Sequence, residues 1–413
     1  KEVNFWKKVW KQTDKTIIQT TFDPPFNSSL GYDDPIKYGG LHHYIRLINS
    51  LLIDSAPSNL SFIDIESLLI NTKESSWKDL RMFYLTKQPF NMEMIPALTK
   101  AITSRIEGAL GISKKVIVSD LDNTLWGGVL GDDGKYGIIC DNSSPDGEAY
   151  FNFQKYLKRL SSQGIVLTIC SKNDEKFVKE VFKDNKNLAL KYDDFSVIKA
   201  NYDDKAKNIQ EISKTLNLNL DSFVFIDDSK IECALVKKIL PQVQVINLDS
   251  SEPSNYIDKI ESYNLFNFKN ITKEDLDRNE SYKKIKKYEE NKTASSNIED
   301  FLSDLRPKLE FNNINNKSVT RANQLLGKTN QFKFNSTIFS EKELLKIKDR
   351  TIVLSFQDKF QNYGIIGILI YELNKKNKIF VIKNWVMSCR VFSRRIEDFI
   401  INFLIRMAKK NNC

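Results

Sequence analysis

The sequence predicts an α/β protein centred on a doubly wound parallel sheet, with a smaller α/β unit before it and a mixed α+β unit after it. Three observations carry this reading. From Lys115 to about residue 248, short apolar strands alternate with helices, which implies βαβ units. Three of those strands end in polar groups, at Asp120, Ser171 and Asp227/Asp228, and sites in such sheets lie at the carboxyl ends of strands. At 413 residues the chain is also too long for one typical core, so two or three domains are expected.

The elements follow in order. Residues 1–110 mix short strands and helices: Ser61–Leu69 reads as a strand entering a turn, and Met92–Leu110 as an amphipathic helix with Gly111 as C-cap. In residues 111–252, VIVSDL is a buried strand and Tyr150–Gly164 a helix with a glycine stop. Ile165–Ser171 is a second strand, and NDEKFVKEVFKD a helix begun by acidic residues. Lys205–Leu218 is a helix, Ser222–Asp228 a third strand, IECALVKKIL a helix and VQVINL a fourth strand. Between Thr124 and Ser171 only a glycine-rich stretch, read as a hairpin, and one helix intervene, so no large cap domain fits there. Residues 253–307 read as a helical linker. Residues 308–413 read as KLEFNNI, a helix near Thr320–Leu326, the strands TIVLSFQD, GIIGILIYEL and KIFVIKNWVM, and a closing helix Ile396–Lys410.

Composition narrows the function. Lys and Arg number 62 against 53 Asp and Glu, a net charge of +9, which favours anionic partners such as phosphorylated metabolites or acidic carrier proteins. The basic residues are spread out and no nucleic-acid module is present, so a nucleic-acid partner is not expected. The five cysteines (Cys140, Cys170, Cys233, Cys389 and Cys413) form no CxxC pair, which argues against a structural zinc site or a disulfide framework. A reducing cytoplasm is the expected compartment. No apolar run has membrane-helix length and no signal peptide opens the sequence, so no membrane role is expected. The two histidines, His42 and His43, sit at a helix start, where packing or capping is expected, and their scarcity argues against Ser-His-Asp chemistry.

The stretch VIVSDLDNTLWGGVLGDDG carries the chemistry. A lone DxD is more often a solvated turn, a serine after a strand is usually a helix cap, and a single lysine is usually surface. All of them in order, on successive strand tips, point to phosphoryl or acyl-phosphate chemistry. Such chemistry needs the phosphoryl oxygens neutralised, and Mg²⁺ with hard oxygen ligands does this. Asp120 is then nucleophile and ligand. Asp122 offers its backbone carbonyl to the metal and its side chain as general acid/base. Asp227 and Asp228 complete the metal shell. Thr124, Ser171, Lys172, Asn173 and Lys205 are the candidate phosphate-binding residues.

The order Asp120-x-Asp122-x-Thr124, Ser171, Lys205, Asp227–Asp228 resembles the haloacid dehalogenase (HAD) superfamily. DLDNTLWGGVLGDDG, ICSKND, NYDDKAKNI and FIDDS look like its FkbH-like branch, which includes glyceryl transferases of polyketide pathways. WKDLRMFYLTKQPFN before the HAD unit, and NQLLGKTNQFKFN, FQDKFQNYGIIGILI and WVMSCRVFSRRIEDF after it, extend the match from about residue 60 onward. The resemblance implies an uncapped HAD domain, an N-terminal remnant of an SGNH-hydrolase-like domain and a C-terminal GNAT-like domain. It implies that 1,3-bisphosphoglycerate, a phosphorylated three-carbon metabolite, loses phosphate. The glyceryl unit then passes through a cysteine thioester to the phosphopantetheine arm of an acyl carrier protein. Cys170, beside Ser171, is the candidate acyl acceptor or, equally, a small core residue, since adjacent strand residues face opposite ways; Cys389 is a second thiol. In that mechanism Asp120 is a metal ligand only, or also takes phosphate. Where the GNAT-like family tends to have glycines, this sequence reads Phe392-Ser393-Arg394-Arg395, which argues against independent coenzyme A chemistry. A plain Mg²⁺-dependent phosphatase is the alternative function.

Overall fold

The computed structural model describes residues 1–25, 27–70, 77–266, 306–329, 332–335, 337, 339–359, 362–374, 377–388, 391 and 394–412. The chain divides into two units, Lys1–Leu110 and Gly111–Cys413.

In the first unit, β1 (Ile17–Thr20) and β2 (Leu60–Ile63) pair in parallel. The helices are α1 (Glu2–Trp10), α2 (Leu41–Asp54), α3 (Ile65–Ile70), α4 (Leu80–Thr86) and α5 (Ile95–Leu110). Trp10, Ile48, Leu52 and Leu60 form a small core. Gly111 follows α5 at φ +73°, the left-handed geometry of a helix stop. The Asp34 side chain is fully enclosed and ties the start of α2 together. Its Oδ1 accepts from Ser29 N, Ser29 Oγ and Leu30 N, and its Oδ2 accepts from His42 N at 2.8 Å and faces His42 Nδ1 at 2.8 Å. These donors, the His42 backbone N–H foremost, hold the Asp34 carboxyl well below the usual range. His42 thus has the structural place expected of it.

The second unit opens with the parallel sheet. Its elements are β3 (Val116–Ser119), α6 (Leu130–Gly137), α7 (Pro145–Ser162), β4 (Val166–Ser171), α8 (Glu175–Asp184), β5 (Val197–Ala200) and α9 (Lys205–Leu216). They are followed by β6 (Phe223–Asp227), α10 (Lys230–Ile239), β7 (Gln244–Asn247) and α11 (Tyr256–Glu261). The strand order is β5-β4-β3-β6-β7, all parallel, with β3 central. Ile117, Ile169 and Ile226 point into one core layer, and Val116, Val118, Cys170 and Phe225 into the other. Burial on both faces explains why these strands read as unbroken apolar runs.

Several details differ from the sequence expectation. β5 is an additional edge strand. Residues 130–137 form a short helix kinked at Gly134, flanked by an isolated Gly127–Ile139 bridge, where a hairpin was expected. α7 begins five residues earlier than its apolar pattern, because Ser144 caps Gly147 N and Pro145 occupies the first turn. Past residue 252, Tyr256 and Ile260 of α11 still belong to the core of the parallel-sheet layer. Most of the expected linker, residues 267–305, lies outside the described residues.

The C-terminal part holds β8 (Lys308–Asn313), α12 (Val319–Lys328), α13 (Glu341–Lys346), β9 (Thr351–Gln357), β10 (Asn362–Asn374), β11 (Ile379–Met387) and α14 (Ile396–Lys410). The sheet is antiparallel in the order β11-β10-β9-β8. Ala322, Leu325 and Leu326 of α12 pack with Ile368 and Val386 on one face, and Ile396, Ile400 and Leu404 of α14 with Leu369 and Trp385 on the other. Arg394 is buried: its Nε donates to Asp358 Oδ2 at 3.1 Å and a terminal nitrogen donates to the Tyr363 hydroxyl at 2.6 Å. Asp358 is therefore half of a buried ion pair with Arg394. Cys389, Phe392 and Ser393 lie outside the described residues. Among the described residues, no helix is long and apolar enough to cross a membrane.

Candidate active site

β3 ends at Ser119, and the Asp120 N–H donates to Ile226 O at 3.0 Å, so the ladder reaches the first aspartate before the chain turns away. The turn is tight. The amides of Thr124, Leu125 and Trp126 all point at Leu121 O, and Asn123 takes the left-handed conformation at φ +51°. Asparagine tolerates that geometry, and its side chain closes the loop by accepting from Gly128 N at 3.0 Å. From α11, the Tyr256 hydroxyl donates to Asn123 O at 2.7 Å. Replacing Tyr256 by Phe leaves that carbonyl without its donor. We expect a loss of about 1–3 kcal/mol in urea unfolding, and a fall in turnover as the Asp120–Asp122 turn loosens.

Asp120, Asp227 and Asp228 each offer a carboxylate oxygen within 4.8 Å of the others. Lys205, first residue of α9, reaches between two of them, with Nζ 2.6 Å from Asp227 Oδ2 and 3.0 Å from Asp120 Oδ2. Asp204 sets that lysine in place by capping α9 at Ala206 N and Lys207 N. Asp227 is further held by the Ser229 N–H, 2.8 Å from Oδ1. Burial alone would lower the Lys205 ammonium, but the Asp120 and Asp227 carboxylates outweigh it and hold it above its ordinary value. Burial and then the Asp120 charge push Asp227 upward, and the same two causes raise Asp228.

Three carboxylates face one ammonium, which leaves two negative charges unbalanced when all three are ionised. Asp120 Oδ1 is buried and has no hydrogen-bond partner among the described residues, and Thr124 Oγ1 is in the same position. Orphaned buried oxygens are costly unless something occupies them. An oxygen-lined, doubly negative cluster with an unpartnered carboxylate oxygen fits a hard divalent cation such as Mg²⁺. Asp120, Asp227 and Asp228 are the side chains that would hold it.

The other expected residues divide. Ser171, at the tip of β4, is buried, and its Oγ receives Asn173 Nδ2 at 3.1 Å. The Asp122 side chain is held by donors outside the acidic trio. Its Oδ1 accepts from Trp126 Nε1 at 3.0 Å and Leu130 N at 3.1 Å, and its Oδ2 from Asn173 Nδ2 at 2.9 Å. Burial raises the Asp122 carboxyl against these donors. Asn173 therefore braces Asp122 and Ser171, although it was expected on phosphate. Lys172 points to Glu232 Oε1 at 2.6 Å, not into the cluster, and its side chain is half-exposed.

Cys170 is 0% exposed and faces the layer of Val118, Ala206 and Cys233, with Sγ 3.7 Å from the Lys205 carbonyl. Burial pushes its thiol far up. The strand does not end before Ser171, so the alternation that aims Ser171 at the site aims Cys170 away from it. The structure thus gives Cys170 the core position, not that of an acyl acceptor. The thiols of Cys140 and Cys233 are likewise buried, and burial pushes each up to about 12. Trp126, Tyr256 and Ser229 are site residues that sequence reasoning missed; Trp126 and Ser229, inside the quoted DLDNTLWGG and FIDDS stretches, lay where a local signal was available, and Tyr256 did not.

No family model matches the chain, and no curated protein matches it. Among solved structures, the N-terminal part of the protein BF1531 from Bacteroides fragilis, which contains a phosphatase domain complexed with Mg, is 29% identical to this chain. That likeness covers 65% of this chain and 72% of the other, at a TM-score of 0.61. The HAD family enzyme bt-2542 from Bacteroides thetaiotaomicron, in complex with magnesium and inorganic phosphate, covers 34% of this chain and 96% of its own. At 15% identity and a TM-score of 0.24, it is too distant to bear on this chain. The acidic trio thus lies at the tips of the adjacent parallel strands β3 and β6, in a chain similar to a phosphatase domain complexed with Mg.

Proposed function

We propose that the chain is a Mg²⁺-dependent phosphohydrolase acting on a phosphorylated small molecule, with Asp120 as nucleophile. The observation that carries this is the buried, unpartnered Oδ1 of Asp120 inside a doubly negative cluster. The magnesium in the related phosphatase domain supports the same cation here. Asp120, Asp227 and Asp228 would hold Mg²⁺, which when bound would neutralise phosphoryl oxygens. In this reading Ser171, Thr124 and Lys205 hold the remaining oxygens. Asp120 attacks phosphorus and forms a carboxyl–phosphorus bond while the bond from phosphorus to the leaving oxygen breaks, and Asp122 gives that oxygen a proton. Water then attacks phosphorus and gives its proton to Asp122. The Asp120–phosphorus bond breaks, and inorganic phosphate leaves.

The resemblance to the FkbH-like branch carries a finer reading, glyceryl transfer from 1,3-bisphosphoglycerate to an acyl carrier protein. That route needs a reachable thiol. Cys140, Cys170 and Cys233 are buried, while Cys389 and Cys413 fall outside the described residues. Among the described residues no thiol is exposed to serve that route, which favours hydrolysis. On the same resemblance we assign the N-terminal unit as SGNH-like and the antiparallel C-terminal sheet, with a helix on each face, as GNAT-like. Phosphate release from a graded series of aryl phosphates tests the hydrolase reading. We expect turnover with Mg²⁺ and its loss on chelation. No Mg²⁺-dependent release, or release only when an acyl carrier protein is added, contradicts it.

A further inference from the structure

We propose that Trp126 and Asn173 are positioning residues that orient the Asp122 carboxylate, so that Oδ2 and not Oδ1 meets the leaving oxygen. The proposal rests on the hydrolase reading above. A carboxylate oxygen has two in-plane acceptor sites. On Oδ1 both are taken, by Trp126 Nε1 at 3.0 Å and by Leu130 N at 3.1 Å. Oδ2 accepts from Asn173 Nδ2 at 2.9 Å and keeps its second site. The same Asn173 nitrogen reaches Ser171 Oγ at 3.1 Å, which ties the orientation of Asp122 to the strand tip assigned to the phosphate.

The Trp126 donor is fixed by packing. The indole is 0% exposed and meets the Phe182 ring edge-on at 5.7 Å between centroids, so its N–H direction is set by the core. Its backbone belongs to the turn that follows Asp120, because Trp126 N points at Leu121 O. Nucleophile, proton-exchanging group and orienting donor thus share one rigid seven-residue segment, 120–126. Trp126 and Asn173, the latter expected on phosphate from the sequence, both donate to Asp122, and in this proposal both act through it.

The readout is kcat/KM along the aryl phosphate series, which reports the step that breaks the bond to the leaving group. We expect Trp126→Phe and Asn173→Ala each to slow 4-methoxyphenyl phosphate, a poor leaving group that needs a proton, by about 10- to 100-fold. The same variants slow 4-nitrophenyl phosphate, which leaves without one, by less than about threefold. Equal losses on both substrates, or no loss on the poor leaving group, overturn the proposal. Should Trp126→Phe fail to fold by circular dichroism, Asn173→Ala carries the test alone. If the wild type turns over no member of the series with Mg²⁺, the hydrolase reading falls and this proposal with it. If it does and the variants fail to discriminate, only the orientation claim falls.

Discussion

Asp120→Asn is expected to lose phosphate release by about 10⁴-fold or more while remaining folded. The amide keeps the size of the carboxylate but is not a nucleophile toward phosphorus and is a weak cation ligand. Folding is spared because Lys205 keeps its shorter contact, 2.6 Å to Asp227. Removing the Asp120 charge also removes one of the causes that raise Asp227. Thermal unfolding without metal should therefore be unchanged or slightly higher, and the rise in melting temperature on adding Mg²⁺ should shrink. Loss of activity together with gross unfolding contradicts this account, because it would make Asp120 a structural residue.

Lys205→Met is expected to have the largest effect on stability. It leaves Asp120 and Asp227 facing each other with exposures of 7% and 0% and no counter-charge. Breaking a buried ion pair from one side costs about 3–5 kcal/mol, a large share of a domain's net stability. The account adds a specific feature: Mg²⁺ restores part of the loss, since a divalent cation at the acidic trio supplies the missing positive charge. A cation at 100 times its dissociation constant contributes about 2.7 kcal/mol. Urea unfolding with and without Mg²⁺ measures both numbers, and a loss that Mg²⁺ does not reduce argues against a cation site at Asp120, Asp227 and Asp228.

The sheet and the acidic cluster were legible because both are written locally. β3, β4 and β6 are buried on both faces and so appear as short apolar runs, each followed at its tip by the residue that matters. β5 escaped because its apolar run is cut after Val197–Ile198 by Lys199, which leaves it too mixed to stand out. Lys205 was found by order along the chain, yet its pairing with two aspartates depends on where α9 begins. The partners of Asp122 and Asn123 were not legible: Tyr256 reaches back 133 residues, and Asn173 reaches back 51. Such contacts are set by packing and leave no periodic trace. Cys170 turned on parity, since a strand continuing through Ser171 sends adjacent side chains to opposite faces. Arg394 and Asp358 are likewise joined across 36 residues, and their polar types alone did not signal burial.

The central claim is that Asp120 carries the phosphoryl group. Acid quenching during turnover with Mg²⁺ and 4-nitrophenyl phosphate, followed by peptide mass spectrometry, tests it most directly. The account predicts one added phosphoryl group on the peptide containing Asp120, absent in Asp120→Asn. A phosphoryl group on another residue, or turnover with no phosphorylated peptide at any time, would contradict it.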